Sequence, residues 1–220
     1  MEFVKAEALK KEYAVDGSFY NANYSDQVFE CRNYAHIYNK HDKSSKRLDA
    51  ILTLVNPGLC SPANASDLIP GTATSCRDLE KFTPAKTDNT QYQVMRLMKL
   101  KNWNKVLIIN LSDLRAGNLK ELYKKLSAAQ HAGFAEHSIF SESRKKELER
   151  LVFLCDGPII VGWGTDPIVN KLAPKALSAL PKNRTVGLPH NKGKYYYYHP
   201  SPPRKDGKEF WLKSIAEKIS

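Results

Sequence analysis

The sequence predicts an α/β fold in which a central, mainly parallel sheet of four strands lies between two layers of helices. Four short, almost continuous apolar runs are typical of strands that are buried on both faces. Segments with helical spacing alternate with these runs along the chain, as in a parallel α/β sheet. A length of 220 residues suits one well-buried domain. We therefore expect a three-layer α/β/α domain over residues 48–220.

The four apolar runs are the predicted strands. In chain order they are LDAILTLVN (48–56), KVLIIN (105–110), GPIIVGWG (157–164) and RTVGLP (184–189). In an open sheet of this kind the ligand site lies beyond the carboxyl ends of the strands. The residues that follow each run are therefore the candidates for a functional site.

Five segments have apolar residues at helical spacing, and they cover residues 89–103, 118–129, 141–155, 165–180 and 206–220. Residues 57–88 are rich in Pro, Gly, Ser and Thr, which predicts a long functional or mobile loop. Residues 1–47 are polar and aromatic, and only residues 26–40 have the pattern of a strand. We interpret residues 1–47 as an extension that packs on the main domain.

The composition indicates a polyanionic partner. The chain has 34 Lys and Arg against 23 Asp and Glu, a net charge of +11, which favours nucleic acid, heparin-like chains or anionic lipid. An apolar run long enough for a signal peptide or a membrane span does not occur, so we expect a cytoplasmic protein without a membrane partner. The four cysteines lack metal-site spacing, which predicts free thiols and no metal; they are Cys31, Cys60, Cys76 and Cys155.

Each strand is followed by residues that could belong to a site or could be ordinary structure. Asn-Pro-Gly (56–58) is a common turn sequence, and Asn110 could simply cap the next turn. Gly-Trp-Gly (162–164) lacks the third glycine of a dinucleotide-binding motif. His-Pro-Ser-Pro (199–202) could be a surface turn. Taken together they are more informative, because the topology brings the strand ends to one edge.

Two of these motifs resemble those of the uracil-DNA glycosylase superfamily. VNPG (55–58) resembles its first motif, in the Asn-Pro-Gly form of the mismatch-specific branch, and HPSP (199–202) resembles its second. VLIIN (106–110) and IIVGWG (159–164) are similar to the strands that lie between these motifs. The resemblance covers about residues 48–219, and NLSDLR (110–115) is also similar to a segment of a related family of uncharacterised bacterial proteins.

The resemblance implies a monofunctional DNA glycosylase that needs no cofactor and acts as a monomer. Such an enzyme flips a nucleotide out of the duplex and hydrolyses its N-glycosidic bond. By resemblance, Asn56 positions the water and His199 stabilises the departing base. Asn110 reads the base, together with Pro57 and Gly58. A carboxamide can be turned either way, so Asn110 does not fix which base is bound.

The resemblance also assigns residues to the DNA backbone and to the choice of base. Glycine at position 58 implies room at C5 of a pyrimidine, as for a mismatched or 5-substituted base such as a hypermodified cytosine of phage DNA. Both repair and antiviral defence fit such a substrate. The backbone contacts implied by the second motif are Ser201, Pro202, Arg204 and Lys205, and the wedge that enters the base stack is Pro203 or Arg204. The family usually has an apolar wedge residue at this point, so both Pro203 and Arg204 are a departure from its pattern.

Other interpretations remain open from the sequence. The same fold could bind nucleic acid without catalysis, or could act as a hydrolase or transferase on free nucleosides. An enzyme with Cys60 as nucleophile lacks any recognisable neighbouring base. The four tyrosines at 195–198 could pack against the domain as a strand, or one of them could stack on a base.

Overall fold

The computed structural model describes residues 3–42, 47–64, 69–70 and 82–219. Six α-helices lie in these ranges: α1 (Ala6–Glu12), α2 (Asn89–Lys101), α3 (Leu119–His131), α4 (Lys145–Leu154), α5 (Val169–Ala179) and α6 (Lys205–Lys218). The strands within the same ranges are β1 (Tyr13–Tyr24), β2 (Gln27–Asn39), β3 (Ala50–Leu54), β4 (Ile69–Pro70), β5 (Thr83–Pro84), β6 (Lys105–Asn110), β7 (Ile159–Val161) and β8 (Thr185–Gly187).

The strands form one mixed sheet in the order β4-β1-β2-β6-β3-β7-β8, with β5 paired to β1. The four strands predicted from the apolar runs are neighbours, and β6, β3, β7 and β8 pair in parallel. The α/β class is thus confirmed. The sheet is larger than the four strands expected, because β1 and β2 extend it on the β6 side as antiparallel strands.

The N-terminal residues contribute these two additional strands. β1 and β2 have 12 and 13 residues and pair along their whole length. The two residues of the connecting turn, Ser25 and Asp26, have φ angles of 46° and 61°, which suits the tight turns of hairpins. The stretch that we interpreted as a packed extension therefore lies within the sheet. Its Asp, Asn, Ser and Gly content is unfavourable for strands, which is why the sequence pattern was weak.

Helices cover both faces of the sheet, as the three-layer prediction requires. On one face, a core of buried residues includes Leu122 of α3, Leu151 of α4 and Ala173 of α5. On the other face, a second core includes side chains from α1, α2 and α6, among them Trp211. Successive residues of β6 alternate between the two cores, so each inner strand is buried on both sides.

The element boundaries differ modestly from the predictions. The helix predicted over 165–180 begins at Val169, because the Asp166 carboxylate first accepts a hydrogen bond from the Ile168 N–H at 2.9 Å in a tight turn. The helix predicted over 141–155 begins at Lys145, after a short 3₁₀ turn at Glu142–Arg144. Of the long loop predicted at 57–88, residues 65–68 and 71–81 lie outside the described residues.

Candidate functional site at the carboxyl edge of the sheet

The carboxyl ends of three strands meet at one edge of the sheet. Leu54, the last residue of β3, lies opposite Asn110, the last residue of β6. Just beyond β7, the Gly162 N–H donates a hydrogen bond to the Thr53 carbonyl at 3.0 Å. Asn110 and the loops that carry Asn56 and Gly162 therefore lie side by side at this edge.

The His-Pro-Ser-Pro turn lies against the end of β7. A Cβ atom added to Gly162 would lie 3.0 Å from Pro200 Cδ and 3.4 Å from the Tyr198 carbonyl oxygen. Gly164 has a φ angle of +87°, and a Cβ there would lie 3.9 Å from His199 Cβ. The glycines of the Gly-Trp-Gly sequence thus permit close approach of the turn. The structure places both predicted motifs at this edge of the sheet.

His199 is held in one tautomer. Its Nδ1 accepts a hydrogen bond from the Ser201 N–H at 3.1 Å, so the proton of the neutral ring is on Nε2. Burial lowers the pKa of His199 below its ordinary value of 6.5, although the Asp88 carboxylate opposes this shift. At neutral pH the side chain is therefore an uncharged imidazole with a donor at Nε2.

Asn110 is completely buried, yet its carboxamide is unpaired. Its exposed fraction is 0%, and neither Oδ1 nor Nδ2 has a hydrogen-bond partner among the described residues. Because Ile108 packs in the core beneath α2 and α6, strand alternation places Asn110 on that face of the sheet. A buried carboxamide without partners costs free energy. Such groups are therefore expected where a ligand supplies the missing hydrogen bonds.

The Asn56 side chain anchors the Asn-Pro-Gly loop to a neighbouring backbone segment. Asn56 Nδ2 donates a hydrogen bond to the Ala116 carbonyl at 2.9 Å, which leaves Oδ1 as an acceptor on the other side of the group. Pro57 is buried. Gly58 has a φ angle of +63°, and a Cβ added there would have no described heavy atom within 4 Å. The positive φ angle favours glycine, and the described residues leave open space beside it.

The amino end of α2 interacts with His199 and with a residue next to the Asn-Pro-Gly motif. The Asp88 side chain accepts hydrogen bonds from the N–H groups of Thr90 and Gln91 and so caps the helix. Gln91 is buried, and its Nε2 contacts Cys60 Sγ at 3.3 Å. Asp88 acts electrostatically on His199, while Cys60 follows the Asn-Pro-Gly loop. An Asp followed three residues later by a Gln is the sequence signal of this capping box.

The thiol predictions can be checked at three of the four cysteines. Cys31, Cys60 and Cys155 are buried free thiols, as expected, and Cys76 lies outside the described residues. Within the described ranges, no group of three or more His, Cys, Asp or Glu side chains is placed to hold a metal ion.

The residues assigned to the DNA backbone lie at the start of α6. Pro202 packs beneath this helix, since a Cβ on Gly207 would lie 2.9 Å from its Cγ. Pro203 is exposed. The Arg204 side chain is 84% exposed and pairs with Asp206, and the exposed Lys205 lies 3.5 Å from Glu209. The wedge candidates and both cations are therefore on the surface next to the His-Pro-Ser turn.

The tyrosine segment does not form the strand that we considered from the sequence. Only Tyr197 makes β-bridges, to Gly164 and to Pro189. The Tyr195 carbonyl accepts a hydrogen bond from Trp163 Nε1 at 2.7 Å, and the rings of Tyr197 and Trp163 are edge to face. The segment instead turns back and makes only isolated backbone hydrogen bonds with residues 188–190. It therefore does not form a continuous β-strand pairing. Its contacts support the Gly-Trp-Gly sequence beside His199.

Three buried charged residues near this edge were missed by the sequence analysis. Arg32, Asp113 and Arg144 are each at most 5% exposed. Arg144 pairs with Asp113, which also accepts a hydrogen bond from the Tyr20 hydroxyl at 3.1 Å. Burial raises the pKa of Asp113 to about 6, although Arg144 opposes the shift. Charged residues on strands and loops give no local signal of burial, so only the fold could identify this cluster.

A separate cleft of about 680 Å³ lies between α3, residues 133–142 and α5. It contains none of the predicted site residues. We assign the candidate site to the sheet edge instead, because the unpaired Asn110 carboxamide and the oriented His199 ring lie there.

Comparison with known proteins assigns the chain to one family. A family described as "Protein of unknown function (DUF1643)" matches residues 80–201, more than half of the chain, and the protein belongs to this family. The matched region includes Asn110 and His199 and ends at Ser201, whereas Asn56 lies before it. Searches of curated proteins and of solved structures find no match. Every helix in the described ranges is too short or too polar to cross a lipid bilayer.

Proposed function

We propose that this member of the DUF1643 family is a cytoplasmic, monomeric DNA glycosylase. It would hydrolyse the N-glycosidic bond of a flipped, modified or mismatched pyrimidine and leave an abasic site. The observation that carries the proposal is the fully buried Asn110 carboxamide with both polar atoms unpaired. A flipped base presents donors and acceptors on its pairing edge, which such a carboxamide can bind.

The reaction breaks the bond between the sugar C1′ and the base nitrogen, and the electron pair leaves with the base. Water forms the new bond to C1′, and its proton balances the charge of the departing base. Positive charge develops on the sugar and negative charge on the base, so a donor near a base oxygen stabilises the transition state. The Nε2–H of His199 suits this role, because Nδ1 is already an acceptor for Ser201.

Asn56 fits the role of positioning the water. Its Nδ2 is held by the Ala116 carbonyl, which fixes the direction of Oδ1. A carboxamide oxygen can accept a hydrogen bond from water but is too weak a base to deprotonate it. The sugar must therefore develop much of its positive charge before water attacks, as expected for a substrate with a good leaving group or for a slow enzyme.

The surface charge and the loop at Gly58 support the substrate class. A net charge of +11 attracts the phosphate backbone, and Arg204 and Lys205 are exposed next to the His-Pro-Ser turn. The space that the described residues leave open beside Gly58 fits a pyrimidine that has a substituent at C5. Both a repair substrate and a modified phage base are compatible with this arrangement.

The test is to incubate the protein with oligonucleotides that contain uracil, a G·T mismatch, hydroxymethylcytosine or glucosylated hydroxymethylcytosine. Alkali-labile strand breaks at the test base are the expected result. Asn110→Leu keeps the branching of the side chain and removes the carboxamide, so it should fold and lose activity, since an unpaired buried amide is replaced by an apolar group. Asn183→Leu is the matched control, because Asn183 is exposed at the opposite edge, before β8.

Two results would contradict the proposal. If the folded protein binds DNA but excises the test base from none of the four oligonucleotides, it is a non-catalytic DNA-binding protein with respect to these bases. Cleavage of mononucleosides without cleavage of oligonucleotides would indicate a nucleoside hydrolase.

A further inference from the structure

Three aromatic side chains form a cluster on the surface beside the His-Pro-Ser turn, and we call this cluster the aromatic patch. The ring centroids of His190 and Tyr198 are 4.5 Å apart, and those of Tyr198 and Phe210 are 5.5 Å apart, edge to face. Tyr198 is 37% exposed and Phe210 is 52% exposed. Exposed apolar residues are usually scattered singly, whereas these rings are contiguous. The patch therefore offers accessible ring surface to a partner.

The backbone holds the aromatic patch in place. The Tyr198 N–H donates a hydrogen bond to the Leu188 carbonyl at 2.9 Å. The His190 N–H donates one to the Tyr196 carbonyl, also at 2.9 Å. Phe210 is on α6, whose buried residues pack in one of the two cores. The rings are thus positioned before a ligand arrives, which lowers the entropy cost of binding.

The aromatic patch adjoins the candidate site. Tyr198 immediately precedes His199, and its carbonyl oxygen would lie 3.4 Å from a Cβ added to Gly162, at the end of β7. His190 follows β8, whose carboxyl end lies beside that of β7 because the two strands are parallel. The patch therefore lies at the same edge of the sheet as His199, on the β8 side. A strand whose target base contacts His199 carries neighbouring nucleotides within reach of the patch.

Positive charge surrounds the aromatic patch. Residues 190–194 and 204–213, which flank and include the patch, contain six Lys and Arg against two Asp and Glu. Lys192, Lys194 and Lys213 are exposed, and both acids pair with cations at the start of α6. The excess charge disfavours a second copy of this chain, which would bring the same charge, and favours a polyanion. Cations combined with exposed rings are typical of surfaces that bind single-stranded nucleic acid.

We propose that the aromatic patch stacks on unpaired bases next to the target nucleotide, so that the protein binds DNA as a single strand in this region. The inference rests on the proposed function, which sets the position of the target base. In a duplex the neighbours cover both faces of each base, and a ring can reach them only after the bases unstack. An unpaired base offers its face, and stacking tolerates any base. The patch thus adds affinity without sequence preference.

Binding measured by fluorescence anisotropy tests the inference without any turnover. The ligands are a labelled oligothymidylate, a strand of equal length and charge in which abasic residues replace the thymidines, and a fully paired A·T duplex. The two single strands share the phosphate backbone and differ only in the presence of bases. We expect the wild-type protein to bind the oligothymidylate at least about 10-fold more tightly than the abasic strand, the scale of one stacked base.

Two variants remove a ring from the aromatic patch and keep an apolar side chain. Phe210→Leu and Tyr198→Leu should each weaken binding of the oligothymidylate at least about 5-fold, because each loses a stacking surface. Neither should change the affinity for the abasic strand or for the duplex, since the cations remain. Phe153→Leu is the matched control, because Phe153 is 73% exposed on α4, which packs on the opposite face of the sheet from α6. The control should bind all three ligands as the wild type does.

Equal affinity of the wild-type protein for the oligothymidylate and the abasic strand would overturn the inference, and this result needs no variant to fold. Wild-type affinity of the folded Phe210→Leu and Tyr198→Leu proteins would also overturn it. If Phe210→Leu left binding of the strand unchanged but dissociated a dimer in sedimentation, the patch would instead be an interface between copies of this chain.

The same measurements separate this inference from the proposed function. If binding of the oligothymidylate depends on the rings but no test base is excised, the stacking surface stands and the glycosylase proposal fails. If test bases are excised while the ring variants bind single strands as the wild type does, the glycosylase proposal stands and this inference fails.

Discussion

The Ser201 N–H donates a hydrogen bond to Nδ1 of His199 at 3.1 Å. This contact lies within one turn of chain, and the same turn packs on Gly162 at the end of β7. The ring is therefore oriented by the backbone rather than by a carboxylate. Burial lowers the pKa of His199, so the imidazole is neutral when its Nε2–H acts as a donor.

Replacement of His199 by Ala should reduce turnover far more than DNA affinity. Loss of one donor to a developing charge lowers the rate about 100-fold or more, whereas a neutral donor contributes little to binding of the intact nucleotide. Single-turnover rates and dissociation constants for one oligonucleotide measure the two effects. His131→Ala, exposed on α3, is the control. If affinity fell and the residual rate did not, His199 would be a phosphate contact.

The lowered pKa of His199 also predicts the pH dependence of the rate. Because burial holds the pKa of the His199 ring below 6.5 in the free protein, the ring is mainly uncharged at neutral and higher pH, and we expect a single-turnover rate that changes little between about pH 7 and 8.5. A rate that rises through this range as the pH falls would show that the protonated imidazolium is the active form.

Gly162→Ala should slow the reaction by moving the His-Pro-Ser turn. The new methyl group would lie 3.0 Å from Pro200 Cδ and 3.4 Å from the Tyr198 carbonyl oxygen, so the turn must shift by a few tenths of an ångström. Small displacements of a positioned group can cost up to about 100-fold in rate. We expect a lower rate with a melting temperature near that of the wild type. A rate that stays at the wild-type value would show that the turn does not need this close contact.

Exposed cations next to the turn should determine part of the salt dependence of binding. Arg204→Ala and Lys205→Ala each remove one charge at the start of α6, and each should reduce the slope of log K against log salt by about 1. The loss in affinity should be similar for all sequences, because phosphate contacts do not read bases. Lys182→Ala, exposed before β8, is the control. A change of slope in the control alone would place the DNA on another surface.

The parallel part of the sheet was predictable because burial on both faces requires apolar residues. The predicted strands are short runs of mostly apolar residues, with buried side chains such as Ile51, Leu107 and Ile160. Such runs are typical of strands that are buried on both faces. The same logic located the strand ends, and with them the positions of Asn56 and Asn110. Their roles in catalysis remain predictions.

The N-terminal hairpin was less predictable because its buried residues are often polar. Ser18, Arg32 and Asn33 are all buried in β1 and β2, which masks the alternation expected of a half-buried strand. The irregular register between Ser18 and Phe19 also breaks the period of two. The face of the sheet on which Arg32 lies became clear only from its pairing with Phe19.

His36 should make the protein less stable in mild acid. Burial, together with the Lys105 charge, lowers the pKa of His36 to about 3, and the ring stacks on Phe82 with centroids 4.2 Å apart. The unfolded chain binds a proton near pH 6.5 while the folded protein does not, so the stabilising free energy is lost as the pH falls below 6.5. At pH 5 the loss from this residue is about 2 kcal/mol.

His36→Phe keeps an aromatic ring beside Phe82 and removes the proton-binding site. We therefore expect the difference in the free energy of unfolding between pH 7 and pH 5 to be about 2 kcal/mol smaller in the variant than in the wild type. Chemical denaturation at the two pH values measures this difference. His41→Phe, exposed just after β2, is the control and should keep more of the wild-type difference. Equal differences in the wild type and His36→Phe would mean that His36 is accessible to protons in the folded protein.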